Sequence, residues 1–387
     1  MNDRSRGRQS ISGSFRAGLA WLAAAQFGLA AAALPGPDQA LLSDADGTME
    51  HVVCVVNSAR RALLHNSELV TRILNALPDR VRVTLLTNDR EAFTLPRERS
   101  PGRVRFAHLP READFTIWPQ DPFLVLNGAT GTSILQSANF PRADDDRLTA
   151  SLSSALGWQP RPSPLAFQGG NLVANARHVF VGADTIRLNA LRLGVSDEAT
   201  ASMFERELGK PVLVLGPVPQ PVGHIDMIVT PLGRGFVVVA DARWGVRLAR
   251  QLIADDSTAA RQFERRIGER FDDWRSRSGP NALAGPLRPP SFEDAIAASG
   301  RLAPHLDGLA DGLAAHGYVV RRVPFLGSPV VAQEAPPSSI ARAGGELPAR
   351  SPGFPCITYG NVLLEEIGEE RVVYLPQYGW AGMDAAG

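Results

Sequence analysis

Short apolar runs alternate along this chain with stretches in which apolar residues recur at every third or fourth position. The run His51-Val52-Val53-Cys54-Val55-Val56-Asn57 is continuous enough to read as a buried strand. From Ala59 to Leu77 the period changes, and Leu63, Leu64, Leu69, Ile73 and Leu77 share one face of a predicted amphipathic helix. Strands are then expected at 81–87, 114–117, 123–127 and 133–136, followed by a helix from about Asp145 to Leu156. The second half repeats the alternation, with strands at 179–181, 212–215, 225–229 and 236–240 and helices near 198–208 and 245–254. Strand–strand–helix–strand units suit several α/β folds, and periodicity alone does not choose among them.

The ends of this pattern set the expected boundaries. Arg4, Arg6, Arg8 and Arg16 precede an apolar stretch from Ala17 to Leu34, which closes on the small residues Ala31 to Ala33. That layout predicts an export signal, with a disordered extension as the alternative, since Gln26 interrupts the apolar run. Residues 1–45 are therefore set apart, and 46–387 is expected to form one domain. Two stretches read as surface insertions: 261–290, charged and then rich in Pro and Gly, and 327–352, rich in Pro, Ser, Ala and Gly. An exported protein would be periplasmic or secreted, and otherwise cytoplasmic.

Composition narrows the function classes. With 40 basic and 40 acidic residues the formal charge is zero, so the chain lacks the basic field that nucleic-acid binding needs. Nothing beyond the export signal points to a membrane partner. Every basic residue except Lys210 is arginine, so a P-loop or Schiff-base lysine would have to be Lys210, which no Walker-type glycine loop precedes. The two cysteines, Cys54 and Cys356, cannot build a disulfide framework. Cys54, inside an apolar strand, reads as a small hydrophobe.

Three constellations fall where an apolar strand meets a turn: Trp118-Pro119-Gln120-Asp121, Gln168-Gly169-Gly170-Asn171 and Gly223-His224-Ile225-Asp226. On an extended strand His224 and Asp226 would project from one face, an arrangement that suits proton transfer beside a cation, or metal binding. Each constellation alone has a plainer reading. Asp121 beside prolines is a common turn residue, Gln-Gly-Gly-Asn is a common turn, and a single histidine is usually structural. The remaining histidines show no His-Glu-x-x-His spacing, which weighs against a metal.

Taken in order, these motifs resemble the deiminase branch of the guanidine-modifying (pentein) superfamily, which includes agmatine deiminases and peptidylarginine deiminases. Agmatine deiminases carry Trp-x-Arg-Asp, Glu-Gly-Gly-Asn, Gly-His-x-Asp and a tyrosine–asparagine segment ahead of a final cysteine. Trp118 to Asp121, Gln168 to Asn171, Gly223 to Asp226 and Tyr359-Gly360-Asn361 match in that order. The resemblance runs from about residue 50 to the end. It implies a five-fold pseudosymmetric α/β-propeller with a central site and no cofactor. A guanidinium is planar and permanently charged, so carboxylates can clamp it and fix its carbon for attack. The resemblance assigns that clamp to Asp121 and Asp226, and proton transfer to His224. It places Trp118, Gln168 and Asn171 among the substrate-binding residues and makes a cysteine thiolate the nucleophile.

Three departures qualify the match. Gln120 stands where agmatine deiminases have arginine, although peptidylarginine deiminases carry Trp-x-Gln-Asp. Gln168 replaces the acidic residue before Gly-Gly-Asn, which puts recognition of free agmatine in doubt. The family's cysteine falls well after the Val373-Tyr374-Leu375-Pro376 segment, whereas Cys356 precedes Tyr359 and so reads as structural or incidental. The expectation is a deiminase-type hydrolase of an arginine-derived or peptidyl-arginine guanidino group that stops short of its nucleophile and is inactive as written. The alternatives are an amidinotransferase and a non-catalytic guanidine- or arginine-binding protein.

Overall fold

The computed structural model describes residues 39–56, 66–88, 102–110, 113, 115–265, 268, 291–327, 357–378 and 380–387. The expected export segment, Cys356 and most of both expected insertions lie outside the described residues. The elements, in chain order, begin with β1 (Gln39–Leu41), β2 (His51–Val56), α1 (Asn66–Ala76), β3 (Arg82–Thr87) and β4 (Val104–His108). Next come β5 (Phe123–Gly128), β6 (Gly131–Gln136), α2 (Ala143–Leu156) and β7 (Gln159–Pro162). These are followed by β8 (Leu172–Ala174), β9 (Val179–Gly182), α3 (Ala183–Leu193), α4 (Asp197–Leu208) and β10 (Val212–Leu215). Then come β11 (Val229–Gly233), β12 (Phe236–Asp241), α5 (Ala242–Asp255), α6 (Phe292–Ala315) and β13 (Val319–Pro324). The last are β14 (Leu363–Ile367), β15 (Glu370–Tyr374) and α7 (Ala381–Ala386).

The chain is an α/β protein with mixed sheets. One unit recurs: an antiparallel hairpin, a helical connection, and a strand returning parallel to the hairpin's second strand. It is built by β5–β6–α2–β7, by β8–β9–α3–α4–β10 and by β11–β12–α5–α6–β13. The pair β2–β3 runs parallel across α1, and β14–β15 is a hairpin followed by α7. Among the described residues this gives five small sheets. Each hands its core to the next. Val55 and Leu86 pack with Phe123 and Ile134; Leu124 and Leu135 pack with Leu172 and Val181; Val173 and Phe180 pack with Val229 and Val237. Ala249 packs with Tyr359 and Trp380, while Tyr374 lies against the cluster under β2 and β3. Arg80 pairs with the fully buried Glu365 at 2.5 Å, tying β14 to the first sheet.

Three expectations need correction. Folded structure begins inside the segment set apart, because β1 pairs antiparallel with β5 through Gln39, Ala40 and Leu41. Three residues on a sheet edge are too few to leave a periodic signal. The strand expected over 114–117 does not form across its described residues 115–117: Thr116 gives its N–H to Asp145 Oδ1 at 2.6 Å instead of to a ladder. The strand expected over 225–229 is a 3-10 turn at Ile225–Met227, closed by Ile228 N–H to Ile225 O at 2.9 Å, and β11 starts only at Val229. Helix α6 was not expected. It carries Gly300, Gly308, Gly312 and Pro304, all poor helix formers, but a capping box between Ser291 and Asp294 starts it and the core buries its apolar side.

Candidate functional site

The three sequence motifs meet where short turns abut, and glycine makes the approach feasible. Gly169, in the 3-10 turn Gly169–Asn171, donates its N–H to Asp121 O at 3.0 Å. A Cβ there would stand 2.1 Å from Gln120 O. A Cβ on Gly170 would stand 2.3 Å from His224 Nδ1 and 3.1 Å from Asp226 Oδ2. The paired glycines let one backbone segment lie against both other motifs at once.

Asp226 sits in its 3-10 turn, 8% exposed. Its Oδ2 accepts from Gln120 Nε2 at 2.9 Å and from Asn361 Nδ2 at 3.3 Å. Its Oδ1 is buried with no hydrogen-bond partner. Two neutral amides thus orient the carboxylate without neutralising it. Burial, reinforced by the negative charge of Asp121, pushes its carboxyl well above the ordinary range. Asn361 arrives from a segment pinned to the same turn: Thr358 Oγ1 donates to Met227 O at 2.5 Å, and Thr230 Oγ1 donates to Gly360 O.

Asp121 is 3% exposed and accepts from Arg142 Nη2 at 2.6 Å. Arg142 also donates from Nε to Asp145, which is fully buried and takes the N–H and hydroxyl of Thr116 at 2.6 and 2.9 Å. His224, half-buried, keeps extended backbone and lies 2.7 Å through Nε2 from Gln168 Oε1. That contact orients the imidazole through a neutral partner.

Of the residues singled out in the sequence, Asp121, Gln168, His224 and Asp226 come together. Trp118 stands half-buried at the start of the first turn, its N–H directed to Thr116 Oγ1 at 3.4 Å. Asn171 Oδ1 accepts from Gln220 Nε2 at 3.1 Å, and Gln220 is locked in turn to Asp184. His224 and Asp226 are neighbours through the turn and not through alternation on a strand.

Arg142, Gln120 as a partner of Asp226, Asn361 and Asp44 were not placed in the site from the sequence. Gln120 and Asn361 carried a signal, each within one of the ordered motifs, whereas Arg142 and Asp44 carried none. Asp44 lies just before the expected domain start. Its exposed carboxylate accepts the Ala174 N–H at 2.7 Å, with Lys210 nearby. Its charge is felt at Asp226.

Cys54 is buried under α1 and β3, and burial pushes its thiol up to about 12, so it supplies no thiolate. Among the described residues no group of three or more His, Cys, Asp or Glu could hold a metal ion. His224 and Asp226 face amides, a poor donor set for one.

No protein-family model matches the chain, and no curated protein matches it. Solved structures do. One, provisionally assigned as an agmatine deiminase, superimposes with a TM-score of 0.55 at 12% identity, covering 90% of this chain and 86% of its own. The agmatine deiminase of C. jejuni gives 0.50 at 10% identity, over 87% of this chain and 81% of that one. Its Cys-to-Ser variant with substrate bound gives 0.50 at 10%, over 87% and 82%. At such identities the likeness shows the fold, which is that of the guanidine-modifying enzymes the motifs resemble.

Proposed function

Proceeding from a fold shared with agmatine deiminases, we infer that this chain is a hydrolase of the deiminase type, acting on the guanidino group of an arginine-derived small molecule or a peptidyl arginine. The observation that carries the reading is the unpartnered Oδ1 of buried Asp226, beside a second buried carboxylate. A buried acceptor left without a well-formed hydrogen bond is costly unless a ligand supplies a donor. A guanidinium supplies a charge and a fork of N–H donors together. In support of the five-fold propeller stand the five sheets, the core passed from each to the next, and the Arg80–Glu365 and Tyr374 contacts between last and first.

In this reading Asp226 and Asp121 fix the guanidinium plane, and His224 handles protons. A nucleophile adds to the guanidinium carbon, His224 protonates the departing amine, and ammonia leaves. His224 then takes a proton from water, which displaces the nucleophile and leaves a urea-type product. The nucleophile is not among the described residues, since Cys54 is buried in the core. Neutral Gln168 beside His224 favours a guanidine without a second cation over free agmatine.

The test is calorimetric titration with methylguanidinium, arginine amide and agmatine, together with an ammonia-release assay on each. Saturable binding that disappears in Asp226→Asn, joined to ammonia release, supports the hydrolase. Binding without release leaves a guanidine-binding protein. Absence of binding by all three sinks the reading.

A further inference from the structure

Arg142 belongs to none of the sequence motifs, yet its guanidinium rests on a carboxylate assigned above to the substrate. Nη2 donates to Asp121 Oδ2 at 2.6 Å while Nε donates to Asp145. We infer that Arg142 is a specificity-determining residue of this site, an internal guanidinium that competes with the incoming one for Asp121. A ligand engages Asp226 first and gains Asp121 only when Arg142 turns aside. The inference rests on the guanidine-site reading above.

Three observations carry it. The competition is chemically matched, because the resident and incoming groups are the same planar cation seeking the same oxygens. Arg142 is also placed so that it can yield. About a third of its side chain is exposed (34%), against 4% for Asp121. Asp145, fixed by Thr116, can keep hold of Nε when Nη2 lets go. The Phe140 ring, 5.0 Å from Cζ, gives the guanidinium a second surface to rest on. Finally, the two site carboxylates differ. Among the described residues Asp226 has only neutral amide partners, whereas Asp121 is already paired with a cation.

Arg142 therefore sets a threshold. A ligand able to replace a planar, forked donor displaces it, and a compact ammonium does so poorly. The site is thereby biased toward guanidines over amines of equal charge.

The experiment titrates methylguanidinium and methylammonium into the wild-type chain, Arg142→Gln and Arg142→Ala, using only variants with native circular dichroism and cooperative melting. Gln keeps an amide donor for Asp145 and is the variant expected to fold if Ala does not. The expected result is methylguanidinium binding tightened at least about tenfold in either variant, with methylammonium gaining more, so that discrimination narrows. Unchanged or weaker methylguanidinium binding in a folded variant overturns the inference, because a brace for Asp121 would lose affinity when removed. Asp226→Asn separates the two failures. If wild type binds, Asp226→Asn does not and Arg142→Gln binds no tighter, only the role of Arg142 falls. If wild type and both Arg142 variants all fail to bind, the site reading falls with it.

Discussion

Replacing Asp226 by asparagine is predicted to stabilise the protein while weakening its affinity for guanidines. The substitution is nearly isosteric. The new side-chain carbonyl can keep the donations now made to Oδ2 by Gln120 at 2.9 Å and Asn361 at 3.3 Å. The new amide nitrogen falls where Oδ1 now lies buried without a partner. What disappears is a negative charge that burial and Asp121 both disfavour. Each unit by which a carboxyl stands above its ordinary value costs ~1.4 kcal/mol once it ionises, so relief on the order of 1 kcal/mol or more is expected. For a chain of 387 residues that is a rise of roughly 1 °C in melting temperature for each kcal/mol.

The sign of the pH dependence follows from the raised carboxyl. The unfolded chain releases this proton first, so wild-type stability falls as pH rises from the ordinary carboxylate pKa through the raised one. The advantage of Asp226→Asn is therefore absent in acid and grows toward alkaline pH. Ligand binding should move the opposite way. Losing a charge-assisted hydrogen bond worth ~1.5–3 kcal/mol weakens methylguanidinium binding ~10- to 150-fold. Melting curves from about pH 5 to about pH 8, with calorimetric titrations alongside, read both effects. A variant that melts below wild type at neutral pH, or a difference that does not widen with pH, refutes the electrostatic argument. Unaltered methylguanidinium affinity refutes the site.

The other predictions concern the supports of the site. Gly170→Ala places a methyl 2.3 Å from His224 Nδ1, so the variant should lose ~1–3 kcal/mol of stability together with guanidine binding; denaturant midpoints and titration check both. Gln168→Glu puts a carboxylate within hydrogen-bond reach of His224 Nε2, now 2.7 Å from the amide oxygen. The imidazole titration followed by NMR should move to higher pH by roughly a unit or more, and no upward movement would show that the two side chains do not pair in solution.

Much of this arrangement could be read from the sequence. The apolar runs located β2, β3, β5, β6, β9, β10 and β12, because each contributes apolar side chains to the cores between the sheets. The ordered motifs named Asp121, Gln168, His224 and Asp226, which the structure brings together. The sequence also held two of the departures from the resembling family, Gln120 and Gln168. It did not reveal that one of them, Gln120, binds Asp226 directly.

Other features were decided only in three dimensions. Extended alternation and a 3-10 turn both bring His224 and Asp226 together, and local pattern does not separate them; packing against Gly170 and the Tyr359–Asn361 segment selects the turn. Asn171, which the resemblance places among the substrate-binding residues, has its Oδ1 held by Gln220, distant in sequence. Arg142 and Asp44 come from an ordinary polar helix start and from the stretch set apart from the expected domain, so neither has a pattern to mark it. Periodicity records which face a residue buries. The partner of a charge across the site depends on how separate turns are brought into contact, and that is set by tertiary packing alone.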